Sequence, residues 1–163
     1  MEVNWDTWTP QIRANLLFVV RGGEVLLIRK KRGLGAGKIN GPGGKIDPGE
    51  TPLQSAVREV QEELEITVAD PIEMGELSFQ FVDGLSMLVT VFRGSEFSGT
   101  PTETEEAIPH WFPIDQIPFD EMWEDDRHWL RQMIDGQQFK AWFVFDNDTM
   151  LSKKVDFIGA LPG

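Results

Sequence analysis

The chain has 163 residues, 40% of them apolar and 26% charged; this fits one globular domain with a sizeable core and excludes a disordered or fibrous chain. Its 27 acidic against 15 basic side chains give a net charge of −12, which argues against direct nucleic-acid binding and against an anionic membrane surface. The absence of cysteine, with His110 and His128 as the two histidines, excludes disulfides, thiolate metal sites and a cysteine nucleophile, and leaves carboxylates suited to a hard cation such as Mg²⁺.

Residues 1–13 read as an N-terminal extension. Met1–Thr9 is acidic and aromatic, with no basic run leading into an apolar stretch, and the longest apolar run, Leu16–Val20, is too short to span a membrane. The expectation is a cytoplasmic, monomeric protein with a small-molecule partner. Asn15–Val20 and Glu24–Lys30 flank Arg21-Gly22-Gly23 and read as a hairpin. Lys31–Gly44 is a loop by its glycine content. Thr51 as N-cap, Pro52 at the first helical position and Gln54 closing a capping box predict a helix running to Leu64. Glu73–Val82 and Leu85–Phe92 flank Asp83-Gly84, a second hairpin, and Gly94–Ala107 reads as a polar loop. Trp129, Leu130, Met133 and Ile134 recur at helical spacing within Asp125–Asp135, ahead of Gly136 as a C-cap glycine. Phe139–Phe145 and Met150–Phe157 read as closing strands. Helices among mostly hairpin-linked strands predict an α/β (α+β) fold with a helix-covered sheet over residues 14–158, followed by a tail at 159–163.

The stretch from Gly44 to Val68 carries the chemistry. Glu59, Glu62 and Glu63 stand at i, i+3 and i+4 on the predicted helix, so their carboxylates share a face. Like charges so close call for a neutralising cation, and a divalent ion with oxygen ligands meets that need. Arg58 keeps its charge and offers a planar fork to Glu50, from which it can hold the ligands in place. A solvated acidic face would not require the glycine loop, the capping box, Glu50 and Arg58 at these offsets.

The segment resembles the Nudix box, G-x5-E-x7-R-E-U-x-E-E-x-G-U with U aliphatic. Gly44, Glu50, Arg58, Glu59, Val60, Glu62, Glu63 and Ile66 match, and Glu65 stands where the family has glycine. The resemblance implies an α/β/α sandwich with a mixed sheet, and Mg²⁺- or Mn²⁺-dependent hydrolysis of a nucleoside diphosphate linked to another group. It further implies metal binding by Glu59, Glu62 and Glu63, a contribution from the Gly43 carbonyl, and a phosphate contact from Lys45. Segments such as Asn40–Lys45 and Trp123-Glu124-Asp125-Asp126 are similar to the MutT-homologue branch, whose members act on oxidised purine nucleoside triphosphates. Two candidates for the group that removes the attacking water's proton remain, Glu63 and Glu106.

An aromatic face such as Trp123 stacks on any base. Asp125 and Asp126 are adjacent; buried together, they cannot both ionise cheaply, so one stays protonated and donates while the other accepts. Taken singly, Trp123 reads as a packing residue, Asp125 as an N-cap and Asn40 as a turn residue. The resemblance gives Asp125, Asp126 and Asn40 the reading of the base, puts Phe79, Phe81 and Met87 in the pocket wall and sets Asn15 and Lys30 at its edge. Leu34 stands where the branch has phenylalanine, so the lid over the base is apolar without being aromatic. Another nucleoside diphosphate derivative is the rival substrate class, and a non-catalytic nucleotide-binding module the rival class of protein. The intact Arg58-Glu59 and Glu62-Glu63 argue against the latter.

Overall fold

The computed structural model describes residues 1–160. Its elements are β1 (Ile12–Arg21), β2 (Glu24–Lys30), β3 (Ile39–Asn40), α1 (Pro52–Leu64), β4 (Thr67–Ala69), β5 (Ile72–Phe81), β6 (Ser86–Gly94), β7 (Glu96–Ser98), β8 (Ala107–Pro113), α2 (Leu130–Ile134), β9 (Gln137–Asp146) and β10 (Thr149–Ala160). The strands of the main sheet run in the order β10-β9-β5-β6-β1-β2-β3, with β8 also paired to β2; β4 and β7 form a separate ribbon. The sheet is mixed: β1 with β6 and β5 with β9 are parallel, and the other pairs are antiparallel.

Alternation along β1 divides the core. Leu17 and Val19 pack with Ala56, Val60 and Leu64 of α1, whereas Phe18 and Val20 join Trp129, Leu130, Met133 and Ile134 around α2. A helix therefore covers each face, the α/β sandwich expected. Helix α1 starts as its sequence dictates: the Thr51 hydroxyl accepts from the Gln54 amide, and the Gln54 side chain accepts from the Thr51 N–H. It ends at Glu65 in a left-handed conformation, φ 61° and ψ 32°.

Five expectations change. The first hairpin pairs only at its tip, Val20 with Val25 and Arg21 with Glu24. Further on, the segment 42–46 takes the place of β2 beside β1: Leu17 N–H donates to the Pro42 carbonyl, Asn15 N–H to Gly44, and Ile46 N–H to Arg13. The glycine loop contains the short β3, and the polar loop contains β7, whose partner β4 follows α1 directly. In place of one helix over Asp125–Asp135 there is a 3-10 turn at Asp126–His128 and then α2, broken at Trp129, whose φ is −142°. The break lets the fully buried Trp129 ring stack on Phe139 at 5.2 Å and meet Phe18 edge-on at 5.9 Å; tertiary packing overrides the local periodicity. Gly159 and Ala160 of the expected tail belong to β10, and 161–163 lie outside the described residues.

Candidate active site

Where β1 and β2 part, a cavity of about 480 Å³ opens. Its deep part is apolar. Phe79, Phe81 and Met87 line it as expected, joined by Ile12, Leu16, Leu77, Leu85 and Val89. Asp125 and Asp126 reach it from the 3-10 turn, and Trp123 stands beside them, edge-on to Phe81 at 6.2 Å and to Phe145 at 5.7 Å. Asn40, Lys30 and Leu34 also line the cavity, and Gly43, Lys45 and Glu63 form its other end.

The two aspartates are 1% and 8% exposed. Burial raises both carboxyl pKa values, that of Asp125 to about 6 and that of Asp126 well above its ordinary range. The difference has a structural origin. Trp129 Nε1–H donates to Asp125 at 2.9 Å and favours its ionised form, while the neighbouring Asp125 charge holds the proton on Asp126. Asp125 makes no side-chain cap to the 3-10 turn that it precedes, so the capping reading of this residue fails.

Loop 41–45 comes close against β1 and α1, and position 43, pressed on backbone at φ 153°, admits only glycine. A Cβ on Gly43 would overlap the Asn15 carbonyl, and one on Gly44 would overlap the Glu59 carboxylate. Gly43 N–H donates to Glu63 at 2.8 Å. Burial nevertheless pushes the Glu63 pKa up to about 8, with the Glu59 and Glu106 charges adding to the rise. Burial raises the Glu59 carboxyl as well. Lys30 Nζ donates to the Leu34 carbonyl at 2.8 Å; desolvation lowers its pKa against the opposing pull of Glu63, Glu106 and Glu59.

Arg58 sits beneath this end. Its guanidinium bonds Glu50 through two nitrogens at 2.7 and 2.9 Å and also reaches Glu59 and Glu62 at 3.1 Å. The Glu50 carboxyl is accordingly held low. Thus the chain's own arginine offsets much of the like-charge strain along the helix. Among the described residues no three carboxylate or imidazole groups are already gathered as a metal cage, since Glu62 is turned to Arg58 and Glu63 to Gly43. The donor chemistry still fits a hard divalent ion: three carboxylates on one helix face, two of them reluctant to ionise without a compensating positive charge.

Arg58, Glu59, Glu62 and Glu106 do not line the cavity. Glu106 pairs with Arg32 at 3.1 Å at the surface. Asn15 lines the cavity as expected, and its amide is already engaged: Nδ2 donates to Ser55 at 2.9 Å and Oδ1 accepts from Gly44, so it latches strand, loop and helix together. Sequence reasoning missed the aliphatic wall, signalled by the alternation of Ile12 and Leu16, and the Trp129 partner of Asp125, four residues along.

The model of the NUDIX domain matches residues 9–133. The chain belongs to the Nudix family. Two Nudix relatives named oxidized purine nucleoside triphosphate hydrolase, from Danio rerio and Mus musculus, are each 43% identical to it. The first covers 86% of this chain and 92% of its own length, the second 84% and 89%. In structure the fold matches the mutator MutT protein from Bacillus halodurans with a TM-score of 0.80 at 27% identity, over 89% of this chain and 97% of that one. A Nudix box therefore occupies loop 44–50 and helix α1, and among the described residues no helix is long and apolar enough to cross a membrane.

Proposed function

We propose that the protein hydrolyses oxidised purine nucleoside triphosphates to the monophosphate and pyrophosphate, with Mg²⁺, or Mn²⁺ in its place, as cofactor. The observation that carries this reading is one cavity with two unlike ends: an apolar, aromatic end holding a buried acid pair, and an end lined by Gly43, Lys45 and Glu63, one of the three α1 carboxylates. The names of the fish and mouse relatives support the same substrate class.

At the first end the purine stacks against Trp123 between the aromatic and aliphatic walls. The Asp126 hydroxyl donates and the Asp125 carboxylate accepts, so the pair reads an edge that presents both an acceptor and a donor. Water exclusion makes a mismatch there costly. At the second end Lys45 meets the phosphates, and Glu59, Glu62 and Glu63, with the Gly43 carbonyl, would hold the cation. When bound, the cation neutralises phosphate oxygens and acidifies a water molecule. Glu63 is the better candidate to take the water's proton, because it faces the cavity whereas Glu106 is paired with Arg32. Arg58 positions this face through Glu50. We read the protein as a cytoplasmic monomer acting on a small-molecule nucleotide, with a net charge of −12 that disfavours nucleic acid.

The test is pyrophosphate release with Mg²⁺ across 8-oxo-dGTP, 2-hydroxy-dATP, dGTP, dATP and ADP-ribose. Faster turnover of the oxidised triphosphates is expected. Preference for ADP-ribose, or no pyrophosphate from any triphosphate, would overturn the reading.

A further inference from the structure

The segment before β1 is tied to the wall of the cavity. A turn closes at Asn4–Thr7, where the Thr7 N–H donates to the Asn4 carbonyl at 3.2 Å, and it brings Trp5 edge-on to Trp8 at 5.2 Å. Trp8 Nε1–H donates to Gln80 Oε1 at 2.9 Å. The Gln80 amide then donates to the carbonyls of Phe81, at 2.9 Å, and Leu85, at 3.3 Å. Beyond this relay, Gln11 N–H donates to the Ser86 hydroxyl at 2.9 Å, and the Ser86 N–H returns to Gln11 Oε1 at 3.3 Å. Both bonds grip the turn joining β5 to β6. That turn is exposed at Val82, Asp83 and Gly84, yet the residues flanking it, Phe81 and Leu85, line the base end of the cavity.

We propose that Trp8, acting through Gln80, is a positioning residue for base recognition. It fixes where Phe81 and Leu85 stand and so sets the fit of the purine, without touching the reacting phosphates. The inference rests on the functional reading above for the identity of the bound base. Trp8 lies just ahead of the family match, which begins at residue 9. A packing role alone would need the Trp8 ring but not its N–H, and would not need the Gln80 amide to satisfy two carbonyls of one turn.

Trp8→Phe keeps a ring and removes the donor, and Gln80→Met keeps the length and removes the relay. In each, amide hydrogen exchange at residues 82–86 is expected to rise about tenfold, with other segments unchanged. KM for 8-oxo-dGTP is expected to rise about three- to tenfold at nearly constant kcat, and the double variant to be no worse than either single one. Unchanged exchange at the turn, or kcat and KM moving together with a general loss of stability, would overturn the proposal. The exchange measurement needs no substrate, so the two readings fail separately. Faster exchange confined to the turn in an enzyme inactive on oxidised purines removes the substrate assignment and keeps the relay. Wild-type activity on 8-oxo-dGTP with unaltered exchange and KM in the variants removes the relay alone.

Discussion

The two ends of the cavity manage negative charge in opposite ways. On α1 the acids are spread along a helix face, and Arg58 lies among them within 3.1 Å of Glu59 and Glu62. At the base end Asp125 and Asp126 sit in an apolar pocket with no cation among their hydrogen-bond partners; they are accommodated by withholding ionisation and by one indole N–H. The first keeps a guanidinium beside its carboxylates and, with Glu59 and Glu63 raised by burial, calls for a further positive charge, which suits a divalent ion and phosphate. The second holds a proton and suits the donor–acceptor edge of a base. Both are built from carboxylates; burial and the nearest partner determine the outcome.

The largest effect separating the two ends should come from Glu62→Gln and Glu63→Gln. Each is expected to lower kcat by about a hundred- to a thousandfold and raise the Mg²⁺ requirement, with the ranking of bases unchanged. Because the folded-state pKa of Glu63 is raised to about 8, its contribution to stability is fully present below the unfolded value and is lost as pH rises through about 8. Metal-free Glu63→Gln should therefore match the parent near pH 4 and melt higher at pH 8 and above, as calorimetry can check. A lower melting point at pH 8 would mean that Glu63 is stabilised as an anion.

Next in size is the acid pair. Asp126→Asn supplies a permanent donor, whereas Asp125→Asn discards the acceptor held by Trp129. The ratio of kcat/KM between 8-oxo-dGTP and 2-hydroxy-dATP should move about ten- to a hundredfold, and differently in the two variants. An equal fall for every substrate would make the pair merely structural. Arg58→Lys tests the opposite device: it keeps the charge but loses the fork that grips Glu50, so the Mg²⁺ concentration for half-maximal rate should rise about tenfold or more. The smallest effect concerns the end of α1. Glu65 holds φ 61°, and Glu65→Gly should add up to about 1 kcal/mol of stability with kcat unaltered; a lower melting temperature would mean that the side chain itself stabilises the helix end.

Much of this was readable before the structure because it is local. The cap at Thr51, the helix end at Leu64 and the Glu50–Arg58 pair follow from spacing on one helix and its flanking loop. What escaped is contact between distant segments. Nothing near Leu17 signals that Pro42 will displace β2 from β1, and the periodicity of residues 125–135 could not register that Trp129 would leave the helix to pack on Phe139. The nucleotide-facing residues fell between these cases. Trp123, Asp125 and Asp126 were identified, but that Asp126 rather than Asp125 holds the proton depends on an indole four residues further along.

The most direct test of the division between the ends is the ratio of kcat/KM for 8-oxo-dGTP over dGTP, measured at saturating Mg²⁺ in the parent, Glu62→Gln and Asp126→Asn. The ratio should survive in Glu62→Gln, despite its slow turnover, and change by about tenfold or more in Asp126→Asn. The same shift in both variants, or a shift in Glu62→Gln alone, would contradict the assignment of the base to the buried pair and of the phosphates to the helix.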